Sequence, residues 1–66
     1  MKIYLNGEDI NLEHSITVEK LLELYNIDKN KVAIERNMEI LNRSEYQSVS
    51  LNEGDKLEVI HFIGGG

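Results

Sequence analysis

Apolar and polar residues alternate from the start of the chain. In "KIYLNGEDINL", Ile3 and Leu5 share one face, with Lys2, Tyr4 and Asn6 on the other; beyond Asn6-Gly7, Ile10 and Leu12 restore the apolar face while Asp9, Asn11 and Glu13 point to water. A period of two describes a half-buried strand, and Asn-Gly favours the two-residue type I′ turn because both residues tolerate positive φ. The segment predicts an antiparallel hairpin with one face to be covered. The period changes in "SITVEKLLELYNID", where Val18, Leu21, Leu22 and Tyr25 recur at i, i+3, i+4 and i+7. This predicts a helix of about two to three turns with that face buried. Thr17 is its expected N-cap, Ile16 and Leu21 form a hydrophobic staple, Glu19 suits the positive end of the helix dipole, and Asn26 supplies a left-handed stop. So short a helix persists only when packed against something else.

"KVAIERNMEIL" predicts a third strand with Val32 and Ile34 inward, a turn near Asn37-Met38 and a short fourth segment at Glu39 to Leu41. "NRSEYQSVSL" shows no period and reads as irregular. "NEGD", Asn52 to Asp55, is a turn signal that launches a last strand, "KLEVIHFI". Hairpin, helix, strand, short strand and last strand is the order of an α+β domain of the β-grasp (ubiquitin-like) kind, a mixed four- to five-stranded sheet packed on one main helix. The last strand is expected parallel to the first, because the helix and the third and fourth segments supply the long crossover that a parallel neighbour needs. Residues 1–63 are expected to form this domain and residues 64–66 a flexible glycine tail.

The last strand breaks the pattern on its outer face. With Leu57 and Val59 inward, Lys56, Glu58, Ile60 and Phe62 point outward, and two of those four are large and apolar. Tyr4 is expected as their outward neighbour on the first strand, giving a partner-docking patch of Tyr4, Ile60 and Phe62 at the root of the tail. The alternatives are scattered exposed apolar residues of no consequence, or a bulge that turns Phe62 inward.

Composition narrows the function. Sixty-six residues make one domain, near the lower limit for a single core, with no cysteine and therefore no disulfide, thiolate metal site or cysteine nucleophile. Nine Glu and three Asp against five Lys and two Arg give a net charge of −5, which argues against nucleic acid and fits a basic protein partner or simple solubility. No apolar run reaches the roughly 18 residues of a membrane span and "MKIYLNGED" has no secretory h-region, so a cytoplasmic protein is expected. His14 and His61 lack metal-ligand spacing, no serine sits in a G-x-S-x-G context, and no glycine-rich loop opens a helix. Asp55 and Glu58 read as solvated carboxylates at the start of an exposed strand. The group left over is the α-carboxylate of Gly66, carried on "IGGG". Three glycines contribute nothing to a core, and a frayed terminus is the plain reading. The other reading is an arm without side chains, about 10 Å long when extended, able to enter a slot little wider than a main chain.

A β-grasp chain ending in glycines resembles the ubiquitin-like sulfur carriers, and in detail the ThiS family of thiamin biosynthesis. The resemblance spans the whole chain through "MKIYLNGE", "TVEKLLE", "VAIERN", "LNRSEY" and "EGDKLEVIHFIGG". Gly64 departs from it, since the family often has a side chain there. The resemblance implies a protein substrate and carrier, not an enzyme, that binds no cofactor itself. A ThiF-like adenylating enzyme would use ATP and magnesium to activate the Gly66 carboxylate, with Gly64, Gly65 and Gly66 inserted into its active site. A persulfide derived from a cysteine desulfurase would then yield a thiocarboxylate, and a ThiG-like thiazole synthase would receive the sulfur. A MoaD-like carrier for molybdopterin synthesis and a ubiquitin-like protein modifier are the neighbouring alternatives; a β-grasp interaction domain with an irrelevant tail is the plainest.

Overall fold

The hairpin forms where the alternation puts it. In the computed structural model, which describes residues 1–62, β1 (Lys2–Leu5) and β2 (Glu8–Asn11) pair antiparallel with Ile3 opposite Ile10. The turn between them has φ of 50° at Asn6 and 84° at Gly7, the left-handed pair that a type I′ turn requires. Helix α1 (Val18–Leu24) follows, and Thr17 caps it: its hydroxyl accepts the Lys20 N–H at 3.1 Å. Val18, Leu21 and Leu22 are buried as expected, and Asn26 takes φ of 54° just past the helix end. Tyr25 does not join the buried face. It is the C-cap, with φ −100°, and 46% of it is exposed, because leaving helical geometry at that residue swings the i+7 position off the stripe.

After a short 3₁₀ turn at Lys29–Lys31 come β3 (Val32–Arg36), β4 (Glu39–Leu41), a second 3₁₀ turn at Arg43–Glu45 and β5 (Lys56–His61). The strands form one sheet in the order β2-β1-β5-β3-β4. β5 lies in the middle, parallel to β1 and antiparallel to β3. This is the expected β-grasp arrangement, with five strands. Ile3, Ile34 and Leu57 from the sheet meet Leu21 and Leu22 from α1 in a single core. Each such burial is worth roughly 1.5–3 kcal/mol, which is what holds a helix of seven residues in place.

The stretch read as irregular does more than connect. Tyr46 and Leu51 within it are 2% and 0% exposed. Its carbonyls serve the start of α1, where the first amides have no partner inside the helix: Val18 N–H donates to Val49 O at 3.0 Å and Glu19 N–H to Tyr46 O at 2.9 Å. Together with the Thr17 cap, these contacts satisfy the first turn. The long crossover is thereby pinned to the helix it passes.

Candidate functional site

β5 is the element that carries the chain toward its glycines. Leu57 and Val59 face the core, whereas Ile60 and Phe62 are 45% and 56% exposed on the outer face. Phe62 N–H still donates at 3.0 Å to the O of Lys31, the residue just before β3, so the backbone is held in line to that residue. No bulge turns Phe62 inward.

Tyr4 does not stand beside them. Its register partner on β5 is Lys56, four residues before Ile60, or about 13 Å along a strand. The reason is that β1 stops at Leu5, opposite Leu57, and the chain turns away at Asn6-Gly7. Alternation assigns Tyr4 to the correct face but carries no information about the stagger of parallel neighbours. Tyr4 lines a separate depression of about 480 Å³ with Gly7, Lys56 and Glu58.

The neighbours of Ile60 lie on β3 instead. Ala33 is directly opposite Ile60, Glu35 is opposite Glu58, and Ile40 of β4 is opposite Glu35. The outer face near the end of β5 thus combines Ala33, Ile60 and Phe62 with two adjacent carboxylates and an exposed Ile40. Among the described residues neither Glu35 nor Glu58 is in an ion pair. Ile40 and Ala33 were the residues that sequence reasoning left out. The alternation in "MEIL" was the available signal, since Leu41 inward places Ile40 outward.

Asp55 is not solvated. It is 6% exposed and accepts from the Asn52 N–H at 2.8 Å and from Asn37 Nδ2 at 3.1 Å, with Arg36 Nε at 3.5 Å. It fastens the β3–β4 turn to the start of β5, where Asn37 Oδ1 also accepts the Lys56 N–H at 3.0 Å. Its role is structural, which leaves Glu58 as the exposed member of the pair. Among the described residues no group of three or more His, Asp or Glu is placed to hold a metal ion, and no helix is long and apolar enough to cross a membrane. Gly64, Gly65 and Gly66 lie outside the described residues.

The profile of the ThiS family matches residues 2–66. The chain belongs to the ThiS family. It is 37% identical over 65 residues to the sulfur carrier protein ThiS of Bacillus subtilis, covering 97% of this chain and 98% of that one. The crystal structure of a thiamine biosynthesis protein, ThiS, from Geobacter metallireducens superposes with a TM-score of 0.85 at 29% identity, covering 100% of both chains. A thiazole synthase of Paramagnetospirillum magneticum contains a stretch 53% identical over 66 residues. That stretch is 100% of this chain and 20% of the synthase, so the chain spans about a fifth of the length of such relatives. The ThiS match covers residues 2–66, a range that includes Gly64, Gly65 and Gly66.

Proposed function

We propose that the chain is a sulfur carrier of thiamin biosynthesis that holds sulfur as a thiocarboxylate on Gly66 and is a substrate of its partners. The observation that carries this reading is a ThiS match over residues 2–66, from the first strand through Gly66. It favours the thiamin branch over the molybdopterin and protein-modifier alternatives, and the thiazole synthase whose sequence includes a similar stretch points to the same pathway.

The chemistry follows from a carboxylate being a poor electrophile. An oxygen of the Gly66 carboxylate attacks the α-phosphorus of ATP in a ThiF-like enzyme, with magnesium on the phosphates, and pyrophosphate leaves. The terminal sulfur of a persulfide then attacks the acyl carbon, and AMP departs with the electron pair. A second thiol cleaves the resulting S–S bond, leaving the thiocarboxylate on Gly66 and a disulfide on the donor. Glycine suits the approach because residues without Cβ atoms fit a narrow slot. Ile60 and Phe62 dock the body of the domain while the glycines enter the partner's site, and Tyr4 contributes from its own depression along the same face. ThiG-like thiazole synthase takes the sulfur.

Exchange of labelled pyrophosphate into ATP tests the activation step. The adenylating enzyme should catalyse it only when this chain is present, and a chain extended by one residue beyond Gly66 should not support it. Equal exchange with the extended chain would overturn Gly66 as the activated group.

A further inference from the structure

β5 outruns its neighbour. β1 ends opposite Leu57, and the last two contacts on that side are Asn6 N–H donating to Leu57 O at 2.9 Å and Val59 N–H donating to Asn6 Oδ1 at 2.8 Å. On the other side pairing continues, with Val32 of β3 opposite His61 and Phe62 N–H bonded to the O of Lys31, the last residue of the 3₁₀ turn before β3. In an antiparallel ladder successive residues point their N–H and C=O groups to opposite sides. Since Phe62 faces β3, His61 must face away from it, toward the place β1 has left. Among the described residues, the His61 N–H and C=O and the Val59 C=O meet no backbone partner there.

An open strand edge is ordinarily guarded by charge, proline or a covering loop. Here the side chains flanking it are Ile60 and Phe62, both exposed and apolar. We infer that this edge is a strand-addition site: an extended segment of thiazole synthase pairs with Val59 and His61 where β1 would have continued. Main-chain bonds set the direction in which the following residues leave the domain, and Ile60 and Phe62 supply apolar contact beside them. Asn6 is the stop that fixes how far the incoming strand can reach, because its side chain already occupies the Val59 amide. The occupant is identified by the synthase relative that contains a stretch 53% identical to this domain, and by the position of the edge just before the end that the carrier reading loads with sulfur. The inference rests on the carrier reading, yet it concerns docking alone.

Amide exchange and two variants test it. In the free protein the His61 amide should exchange rapidly while those of Ile60 and Phe62 are protected, and adding thiazole synthase should slow His61. His61→Pro removes that N–H and blocks the edge without touching the β3 ladder, whereas His61→Ala keeps it. The proline variant should bind the synthase at least about tenfold more weakly than the alanine variant. A His61 amide protected in the free protein, unchanged exchange on adding the synthase, or equal affinity of the two variants would each overturn the proposal. Should His61→Pro fail to fold, exchange in the unaltered protein decides. Thiocarboxylate formation on Gly66 is measured separately and survives the failure of this edge.

Discussion

Glu35 stands directly opposite Glu58 on the outer face of β3 and β5. Facing like charges destabilise a sheet, and a lysine at either position would serve the fold better. Glu35→Lys should therefore raise stability by about 0.2–1 kcal/mol in urea denaturation, with a smaller gain at high salt. The same change should weaken a basic partner, which is the trade expected of a surface shaped for docking. A loss of stability would show that the two carboxylates are not in opposition.

Asp55 lies under a different constraint. Asp55→Ala leaves the Asn52 N–H and the Asn37 amide without their acceptor, at a cost of about 2–3 kcal/mol. Glu53→Ala, which removes an exposed acceptor of the Lys2 N–H, should cost less than about 1 kcal/mol. Equal losses in the two variants, measured by the same denaturation, would contradict the structural role given to Asp55.

Tyr46 makes stability depend on high pH. Burial raises its pKa above the ordinary 10.0, while the Arg43 charge and the Ile34 backbone pull the other way. The folded protein therefore holds the phenol proton more tightly than the unfolded chain does. Its contribution is fully present below pH 10 and is lost as pH rises through the folded pKa. Unfolding followed from pH 8 to above pH 10 should show this decline, and Tyr46→Phe should flatten it.

Phe62→Ala separates docking from folding. With more than half of the side chain exposed, stability should change by no more than about 0.5 kcal/mol. Affinity for the adenylating enzyme or for thiazole synthase should fall about ten- to a hundredfold. Large destabilisation, or unchanged affinity for both, would remove Phe62 from the mechanism.

Much of this fold is legible in the sequence because short-range rules decide it. Ile3 and Leu5, Val32 and Ile34, and Leu57 and Val59 alternate because one sheet face is buried. Thr17 and Asn6-Gly7 have local reasons to cap and to turn. What escapes is set by distant contact. Tyr46 and Leu51 are core residues in a stretch with no period, because their burial comes from docking on the start of α1 and not from an element of their own. Asp55 looks like any carboxylate beside a turn until Asn37 arrives from 18 residues away. Tyr4 misses Ile60 because a parallel pair needs a stagger, and nothing in either strand alone specifies it. For the site, the outward placement of Ile60 and Phe62 was readable from the last strand, while Ala33 and Glu35 became part of it only through the β3 register.

A thiocarboxylate on Gly66 changes the mass of the protein. The change is read by incubating the protein with a ThiF-like enzyme, ATP, magnesium and a persulfide donor, and then measuring intact mass and the C-terminal peptide. One sulfur should replace one oxygen, within the peptide that ends in Gly66. An unchanged mass in the presence of an adenylating enzyme demonstrably active on another carrier, or sulfur found on any other peptide, would contradict it.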